Sequence, residues 1–376
     1  MAAPAIAVVM VAHDSAADLP RTLAALRAQL REGDEVVVVD NASSDDSVRA
    51  AREALGVAAE AADGVGAVGA AEATDGAGAV GAAEATRGDG GRRVIATGAN
   101  LGFAAGCHVG VRATRAPLVF LLNPDCEVAE GCLDALRAVA EERPGWGAWQ
   151  ALVTLPGGDV VNTAGNLVHF LGFGWAGRLD EPVASVPNDP HEVGFVSGAA
   201  LAIRRAAWDE AGGFDERYFM YGEDLDLSLR LRLAGHGVGV APAARVAHEY
   251  AFTKGDYKWF YLERNRWWTV LSGYPAPLLA LLAPALLAFE LILLVASWRG
   301  GWLRAKLRSQ AAVVRELPRI LERRRAVQAT RRIGPRAFAD AFVASLDSPH
   351  LAAGRSIPGA ETVLALYWRV VRALLR

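Results

Sequence analysis

Short apolar runs alternate with helix-like patterns through the first 145 residues of the chain. Residues 5–12 (AIAVVMVA) and 35–40 (EVVVVD) are rich in β-branched residues and too short for core helices, so each predicts a strand. Four leucines between these runs recur at the spacing of three and four residues that is typical of a helix: Leu19, Leu23, Leu26 and Leu30. The same reasoning predicts strands at 93–97 and 118–122, and helices at about 101–113 and 130–142. Strands that alternate with helices predict an α/β fold with a mainly parallel central sheet and helices on both faces.

A twelve-residue duplication interrupts this alternation. GVGAVGAAEATD (64–75) and GAGAVGAAEATR (76–87) differ at two positions. Two copies are too few for a solenoid, and units rich in Gly and Ala have little apolar surface to bury. We therefore predict that residues 58–91 form a flexible surface insertion.

Beyond residue 145 the pattern is mixed. The run GFVSGAALAIRRAAWDEAGGF (194–214) predicts a strand that enters a short helix. DLDLSLRLRLAG (224–235) predicts a helix that ends at Gly235, and VGVAP (238–242) predicts a closing strand. We expect this body to extend over residues 1–270 and to be followed by a helical region over 271–376.

The segment from about 275 to 298 (PAPLLALLAPALLAFELILLVASW) is long enough to span a bilayer. It contains Pro284 and Glu290, and basic residues flank it on both sides, whereas a single crossing leaves one flank poorer in positive charge. The pattern favours an in-plane or re-entrant helix, or a hairpin with both ends in the cytoplasm; a buried core helix is the alternative. The final stretch TVLALYWRVVRALLR is basic and amphipathic, which is typical of a helix on anionic lipid or of one packed on the body.

Charge is distributed unevenly along the chain. The net charge of the 376 residues is −3, yet residues 299–376 hold 16 Lys or Arg against 5 Asp or Glu, so they carry +11 and the remainder carries −14. An acidic body argues against a nucleic-acid-binding role for it, and a basic tail favours contact with an anionic membrane surface. The three cysteines have neither metal-site spacing nor an even disulfide count, and the N-terminus lacks a signal-peptide pattern. These features predict a cytoplasmic protein at the inner face of the cell membrane.

Polar residues follow four of the predicted strands. These are His13 with Asp14, Asp40 with Asn41, Asn100, and Asn123-Pro124-Asp125. Ligands bind at the carboxyl ends of parallel strands, so we expect these groups to meet at one edge. No G-x-G-x-x-G follows the first strand, which argues against NAD or FAD chemistry.

Asp125 is the candidate metal ligand. A carboxylate at a strand end, with room for water and phosphate oxygens, is a usual way to hold Mg²⁺ or Mn²⁺ beside a diphosphate. A turn Asp with only structural hydrogen bonds is the alternative.

A second acidic cluster lies in FMYGEDLDLSLRLRLAG, where Glu223, Asp224 and Asp226 begin a helix. Negative charge suits a helix N-terminus, which accounts for one carboxylate more readily than for three. Aromatic residues crowd the approach and can desolvate a carboxylate, raising its proton affinity as a general base requires. His248, after the closing strand, is a candidate ligand for metal or phosphate, although a single His is more often structural.

Taken together, these segments resemble the family 2 glycosyltransferases, in particular the bacterial rhamnosyltransferase-like branch, over about residues 5–270. The matching runs are VVVVDNASSDDSV, NLGFAAGCHVGV, LVFLLNPDCEV, FVSGAALAIRRAAWDEAGGFDERYFMYGEDLDLSLRLRLAG and VAHEY. The resemblance implies a GT-A fold, a nucleotide-sugar donor, a divalent cation (Mg²⁺ or Mn²⁺) and inversion at the anomeric carbon.

The resemblance also implies roles for individual residues. Asp224, with Glu223 beside it, is the catalytic base, and Tyr221 and Asp226 contact the acceptor. Asp125 and His248 hold the metal, with Asn123 in place of the first Asp of a D-x-D element. The implied donor-binding residues are Ala12, His13, Asp40, Asn41, Asp45, Asn100, Gly102, Asn123 and Asp125. The chain departs from the family pattern at AHDS after the first strand and at His108, where an Asn is usual.

The expected activity is transfer of a sugar, with rhamnose and galactofuranose as candidates, to a hydroxyl of a glycan or lipid-linked acceptor. A nucleotidyltransferase is disfavoured because the Gly-rich loop after the first strand is missing. A non-catalytic, membrane-tethered module that binds a nucleotide-sugar or glycan is the remaining alternative.

Overall fold

The structure, a computed structural model, describes residues 3–58, 84–88, 90–248, 257–345 and 359–375. Its strands are β1 (Ile6–Ala12), β2 (Glu35–Asp40), β3 (Glu84–Arg87), β4 (Arg92–Ala96), β5 (Leu118–Leu122), β6 (Glu127–Val128), β7 (Trp146–Thr154), β8 (Val161–Thr163), β9 (Asn166–His169), β10 (Gly174–Ala176), β11 (His191–Glu192), β12 (Ala200–Arg204), β13 (Gly237–Ala247) and β14 (Phe342–Val343). Its α-helices are α1 (Leu19–Arg27), α2 (Ser47–Leu55), α3 (Gly102–Arg112), α4 (Cys132–Glu142), α5 (Arg205–Ala211), α6 (Glu223–Leu233), α7 (Tyr257–Gly273), α8 (Ala276–Arg299), α9 (Leu303–Arg315), α10 (Leu317–Ala329), α11 (Pro335–Ala339) and α12 (Ala360–Leu374). Two 3₁₀ helices cover Val183–Ser185 and Glu216–Tyr218.

The central sheet is mixed, with a parallel half built from the strands that the sequence predicts. Its order is β11-β13-β7-β12-β5-β1-β2-β4-β3. Strands β4, β2, β1 and β5 are parallel, whereas β12 lies antiparallel between β5 and β7. Ala12 pairs with Asp40, and Asp40 pairs with Ala96, so these strands end at one edge. The predicted α/β class is confirmed, with antiparallel strands added on both sides of the parallel core.

Helices cover both faces of the sheet. Successive side chains of β1 point to opposite faces, and all seven of them are buried. Ile6, Val8 and Met10 share a core with α1, α2 and α4, while Val9 and Val11 pack with α3, α5 and α6. Strands that are apolar on both sides are typical of a parallel sheet between two helical layers.

The predicted flexible insertion, 58–91, contains an ordered strand at residues 84–87. The prediction of flexibility is corrected for these four residues. Residues 84–87 form the edge strand β3, in which Glu84 pairs with Ala96 and Arg87 with Arg93. The hydroxyl of Thr86 accepts a hydrogen bond of 2.8 Å from Arg52 on α2. Residues 59–83, which include most of the duplication, lie outside the described residues.

The helices from α7 onward pack against the outer face of α6. Leu225 and Leu229 of α6 lie in a core with α7, α8 and α12, whereas Leu227 and Leu231 face the central sheet. Helix α6 is therefore enclosed between the sheet and the C-terminal helices. The boundary predicted at residue 270 falls inside α7.

Helix α8 is the one helix among the described residues that is long and apolar enough to cross a membrane. Its buried residues are Leu278, Leu282, Leu286 and Ser297, so most of the helix is not enclosed by protein. Glu290 forms ion pairs with Arg266 of α7 and with Lys306 of α9, the latter at 2.6 Å. These pairs neutralise the one acidic group of the apolar segment and tie α8 to its neighbours.

The C-terminal helix α12 packs on the body and also exposes an apolar face. The ring of Trp368 stacks on Phe170 at 4.9 Å, and Val371 is buried beside it. The exposed apolar residues of α12 are Val363, Leu366, Val370 and Leu374. One face of α12 therefore packs on the body, and the opposite, apolar face is accessible for contact with lipid.

Candidate active site

A single cavity of about 2390 Å³ opens at the carboxyl edge of the parallel strands. Ten of the residues proposed from the sequence line it: His13, Asn41, Asn100, Gly102, Asn123, Asp125, Tyr221, Glu223, Asp224 and His248. The other four, Ala12, Asp40, Asp45 and Asp226, are not part of its wall. The cavity is larger than the roughly 300–1,000 Å³ of an ordinary small-molecule pocket. It has room for two substrates.

Hydrogen bonds connect the polar residues at the ends of β1, β2 and β4. The Nδ1 atom of His13 lies 3.1 Å from the carbonyl oxygen of Asn41. The Asn41 side-chain amide donates to Oδ1 of Asn100 at 3.0 Å, and the same oxygen accepts from the Gly102 N–H. These three side chains form one polar wall that precedes α3.

Asp40 is the last residue of β2 and directly precedes Asn41 of this wall. Asp40 is only 4% exposed, and its Oδ2 accepts a hydrogen bond from the Ser43 N–H at 3.3 Å. Oδ1 is buried and has no hydrogen-bond partner among the residues that the structure describes. A buried carboxylate oxygen is costly to leave without a partner, but Asp40 does not line the cavity, so its contact with a nucleoside stays a prediction.

Ala12 and Asp45 have structural surroundings. Ala12 is fully buried at the end of β1. Asp45 accepts hydrogen bonds from the Ser47 hydroxyl and from the N–H of Ala16, and these bonds lower its pKa. Asp45 thereby joins the start of α2 to the loop after β1. The structure gives neither residue a surface on the cavity, so direct donor contacts are not supported for them.

Strand pairing brings Asp125 and His248 together. Strand β6 pairs antiparallel with the end of β13, with Val128 opposite Val246 and Glu127 opposite Ala247. Residue 248 therefore falls beside the turn that holds Asp125, and His248 Nε2 lies 3.3 Å from Asp125 Oδ1. With the buried Cys126 thiol, potential ligand atoms of these three residues lie within 4.8 Å of one another.

The turn that carries Asp125 is held by a hydroxyl group of α1. The Thr22 hydroxyl of α1 lies 2.7 Å from the carbonyl oxygens of both Pro124 and Cys126. Burial raises the pKa of the Cys126 thiol well above its usual value, so an ionised thiolate ligand is disfavoured. A carboxylate oxygen and an imidazole nitrogen remain, and this donor set suits Mn²⁺ or Mg²⁺ completed by water and phosphate.

Glu223 and Asp224 begin α6 and also line the cavity. Asp224 accepts hydrogen bonds from the N–H groups of Gly198 (3.0 Å) and Leu225 (2.7 Å). Glu223 Oε2 is buried and has no such partner in the described part of the chain. Burial, together with the Asp224 charge, raises the pKa of Glu223 to about 8, and burial also raises the pKa of Asp224. Because N–H donors stabilise a carboxylate, Asp224 is the member of the pair that ionises first.

One short segment joins the two acidic sites. The Asn123 N–H donates to the carbonyl oxygen of Ala199 at 2.9 Å, and the N–H of the preceding residue, Gly198, donates to Asp224. Asp125 is two residues from the first of these bonds, and Asp224 accepts the second. The antiparallel strand β12, which follows this segment, therefore sets the separation between the candidate metal site and the candidate base.

Asp226 has a structural role, which corrects the prediction that it contacts the acceptor. It is 1% exposed, and its Oδ2 lies 2.8 Å from Arg230 Nε and 2.6 Å from a guanidinium nitrogen of Arg323 on α10. Burial opposes ionisation, but the two guanidinium groups outweigh it and hold the pKa of Asp226 below its ordinary value. Its oxygens are occupied in tying α6 to α10.

The loop before Glu223 has an unusual backbone. Phe219 and Tyr221 have φ angles of 63° and 67°, a region that residues with a side chain rarely adopt. The Asn265 side-chain amide, on α7, holds the loop at the carbonyl oxygens of Tyr218 (3.1 Å), Met220 (2.9 Å) and Tyr221 (2.7 Å). Sequence reasoning missed Asn265, since an Asn within ERNRWW carries no local signal for contacts more than forty residues away.

We predict that Asn265→Ala lowers the rate of any reaction in this cavity. Each residue with positive φ costs about 1–3 kcal/mol, so the loop should relax when the three hydrogen bonds are removed and should carry Glu223 and Asp224 with it. The expected result is a fall in kcat of about tenfold or more with little change in the donor KM.

Gln328→Ala is the matched control for this variant. The Gln328 amide also bonds to backbone carbonyl oxygens of α7, those of Ser272 and Gly273, but at the end remote from the loop. It should lower the melting temperature to a similar extent and leave kcat unchanged. Equal kcat in both variants would show that Asn265 contributes only stability.

Solved structures identify the class of fold. The chain resembles the crystal structure of GalNAc-T7 with UDP, GalNAc and Mn²⁺, with a TM-score of 0.53 at 16% sequence identity, over 72% of this chain and 48% of that one. At this level of identity the likeness shows the fold alone. The predicted GT-A fold, a mostly parallel α/β sheet followed here by helices, is confirmed.

The chain belongs to glycosyltransferase-like family 2, whose family model matches residues 3–269. It is 35% identical over 185 residues to the N-acetylglucosaminyl-diphospho-decaprenol L-rhamnosyltransferase of Mycobacterium tuberculosis (strain ATCC 25618 / H37Rv), an alignment that covers 43% of this chain and 60% of that relative. It is 36% identical over 86 residues to the rhamnosyltransferase WbbL of Escherichia coli (strain K12), over 23% of this chain and 31% of that relative. The resemblance proposed from the motifs is thus confirmed at the level of the family.

Proposed function

We propose that the protein transfers a sugar from a nucleotide-sugar donor to a hydroxyl group of a glycan or lipid-linked acceptor, with inversion at the anomeric carbon. The observation that carries the proposal is that Asp125 with His248 and Glu223 with Asp224 line one cavity and are joined through residues 198–199. A charge-neutralising site and a base in the same cavity are what a single displacement at a sugar carbon requires.

The donor would lie along the carboxyl edge of the sheet. The nucleoside would contact His13, Asn41 and Asn100, and the diphosphate would lie next to Asp125. A divalent cation bound by Asp125 and His248 would supply the positive charge that stabilises the departing nucleoside diphosphate. Asn123 would contact the donor from the same turn.

Asp224 would act as the general base. As the acceptor oxygen bonds to the anomeric carbon, the bond from that carbon to the diphosphate oxygen breaks, and the acceptor hydroxyl proton moves to an Asp224 carboxylate oxygen. Glu223, with a pKa of about 8, would be protonated at neutral pH and would not compete for this proton. Tyr221, on the cavity wall, would contact the acceptor.

The finer identity of the substrates rests on the names of relatives. Both relatives described above are called rhamnosyltransferases, which supports rhamnose as the donor sugar, and galactofuranose is the second candidate. The first relative's name specifies a diphospho-decaprenol carrier, which supports a lipid-linked acceptor presented at the inner face of the cell membrane. The exposed apolar faces of α8 and α12 and the excess of basic residues after Arg299 support contact with that surface.

The test is transfer by the full-length protein supplied with nucleotide-sugars and Mn²⁺. We expect release of nucleoside diphosphate that depends on both acceptor and cation. If the protein bound the donor but released no nucleoside diphosphate with any acceptor, a non-catalytic binding module would be favoured. Release of inorganic diphosphate would favour a nucleotidyltransferase. Either result would overturn the proposal.

A further inference from the structure

The cavity has a second, apolar half that the proposed chemistry does not use. Beyond the carboxylates, its wall is formed by α8 and α12, including Ala288, Leu291 and Ile292 of α8 and Val363 and Tyr367 of α12. Leu291 and Ile292 are 67% and 45% exposed, so this half is open to the outside along α8. An apolar surface of this kind, continuous with a polar site, marks a place where a ligand or partner is bound.

Basic side chains also line the cavity. Helix α7 contributes Lys258 and Arg266, and it also carries Asn265, which holds the loop before Asp224. Arg299, at the end of α8, also lines the cavity.

We propose that the groove between α8 and α12 binds the hydrocarbon chain of an acceptor of the form sugar–diphosphate–polyprenol. The inference rests on the proposed function, because the sugar end must lie at Asp224. One cavity contains a carboxylate base, basic side chains and an open apolar wall, and these are the groups that a sugar hydroxyl, a diphosphate and a long alkyl chain require. An ordinary glycan would fill the polar half and leave the apolar half in contact with water.

The ion pairs of Glu290 explain how the groove keeps its position. Glu290 bonds to Arg266 and Lys306, and Gln310 donates to it at 2.6 Å. On α12, the Tyr367 hydroxyl bonds to the carbonyl oxygen of Leu281 on α8. Both walls are thereby anchored to the protein, and an apolar chain can lie between them without separating the helices.

The experiment measures binding without turnover. The probes are geranylgeranyl diphosphate, below its micelle concentration, and inorganic diphosphate, each added to the full-length protein by equilibrium dialysis. The wild type should bind the prenyl compound at least tenfold more tightly than inorganic diphosphate. The double variant Leu291→Gln/Ile292→Gln should lose that preference, and because both side chains are exposed it should keep its melting temperature within a few degrees.

Leu307→Gln is the matched control. Leu307 is 53% exposed on α9 and does not line the cavity. It should leave the preference for the prenyl chain intact. Equal affinity of the wild type for both probes, or an equal loss in the control variant, would overturn the proposal, and the latter would indicate general adhesion of apolar surface to lipid. Prenyl binding that persists while sugar transfer is absent would count against the proposed function alone.

Discussion

Asp224→Asn should fold and bind the donor, but its turnover should fall by about 10²–10⁴-fold, the range lost when a general base is removed. The substitution keeps the size of the side chain, and its amide oxygen can keep one of the two N–H bonds, which Asp224 accepts on different oxygens from Gly198 and Leu225. The other N–H bond is lost, at a cost of about 1–3 kcal/mol in stability, and so is the capacity to take a proton from the acceptor. The measurement is kcat under saturating donor, together with the dissociation constant of the donor.

Glu223→Gln separates the base from its neighbour. Burial and the Asp224 charge raise the pKa of Glu223 to about 8, so Gln reproduces the protonated form that prevails at neutral pH. We expect this variant to keep at least about a tenth of the wild-type turnover, because the general-base contribution of 10²–10⁴ remains. If Asp224→Asn retained wild-type turnover while Glu223→Gln lost it, the two assignments would have to be exchanged.

Asp125→Ala should remove the effect of Mn²⁺ on the donor. A cation at a diphosphate stabilises charge by several kcal/mol, and about 1.4 kcal/mol corresponds to a factor of ten, so turnover should fall at least about 100-fold. The donor should then bind with the same weak affinity whether or not Mn²⁺ or Mg²⁺ is present. Calorimetric titration of the nucleoside diphosphate with and without cation measures the change directly.

Glu127→Ala is the control for local charge. Glu127 is two residues further on, and its side chain is 60% exposed, 3.9 Å from Arg21. Such surface pairs contribute about 0–1 kcal/mol, so this variant should keep both stability and cation dependence. A donor affinity that still rises with Mn²⁺ in Asp125→Ala would exclude Asp125 as the ligand.

The sequence was most informative where chemistry follows from sheet topology. Buried apolar runs followed by Asn and Asp predicted the strands, and parallel pairing then brought Asn41, Asn100 and Asp125 to one edge. The pairing of β6 with β13, which places His248 beside Asp125, was not readable from the sequence, because β6 has only two residues. In that case the family resemblance supplied what periodicity could not.

Residues with distant partners were the ones misjudged. Asp226 looked like a functional acid because its partner Arg323 lies 97 positions away, in a helix whose packing has no local signature. Asn265 was missed for the same reason, since the carbonyl oxygens that its side chain contacts belong to the loop before α6. Part of the duplicated insertion forms an edge strand, since pairing with β4 compensates for a poor apolar pattern. Tertiary contacts decided each of these positions.

The central claim is that a nucleotide-sugar lies between Asp125 and Asp224, and a crystal structure with Mn²⁺ and a non-transferable donor analogue tests it most directly. The account predicts anomalous density for Mn²⁺ within bonding distance of Asp125 Oδ1 and His248 Nε2, with the anomeric carbon facing Asp224. A cation bound away from these two residues, or a sugar whose anomeric carbon faces away from Asp224, would contradict it.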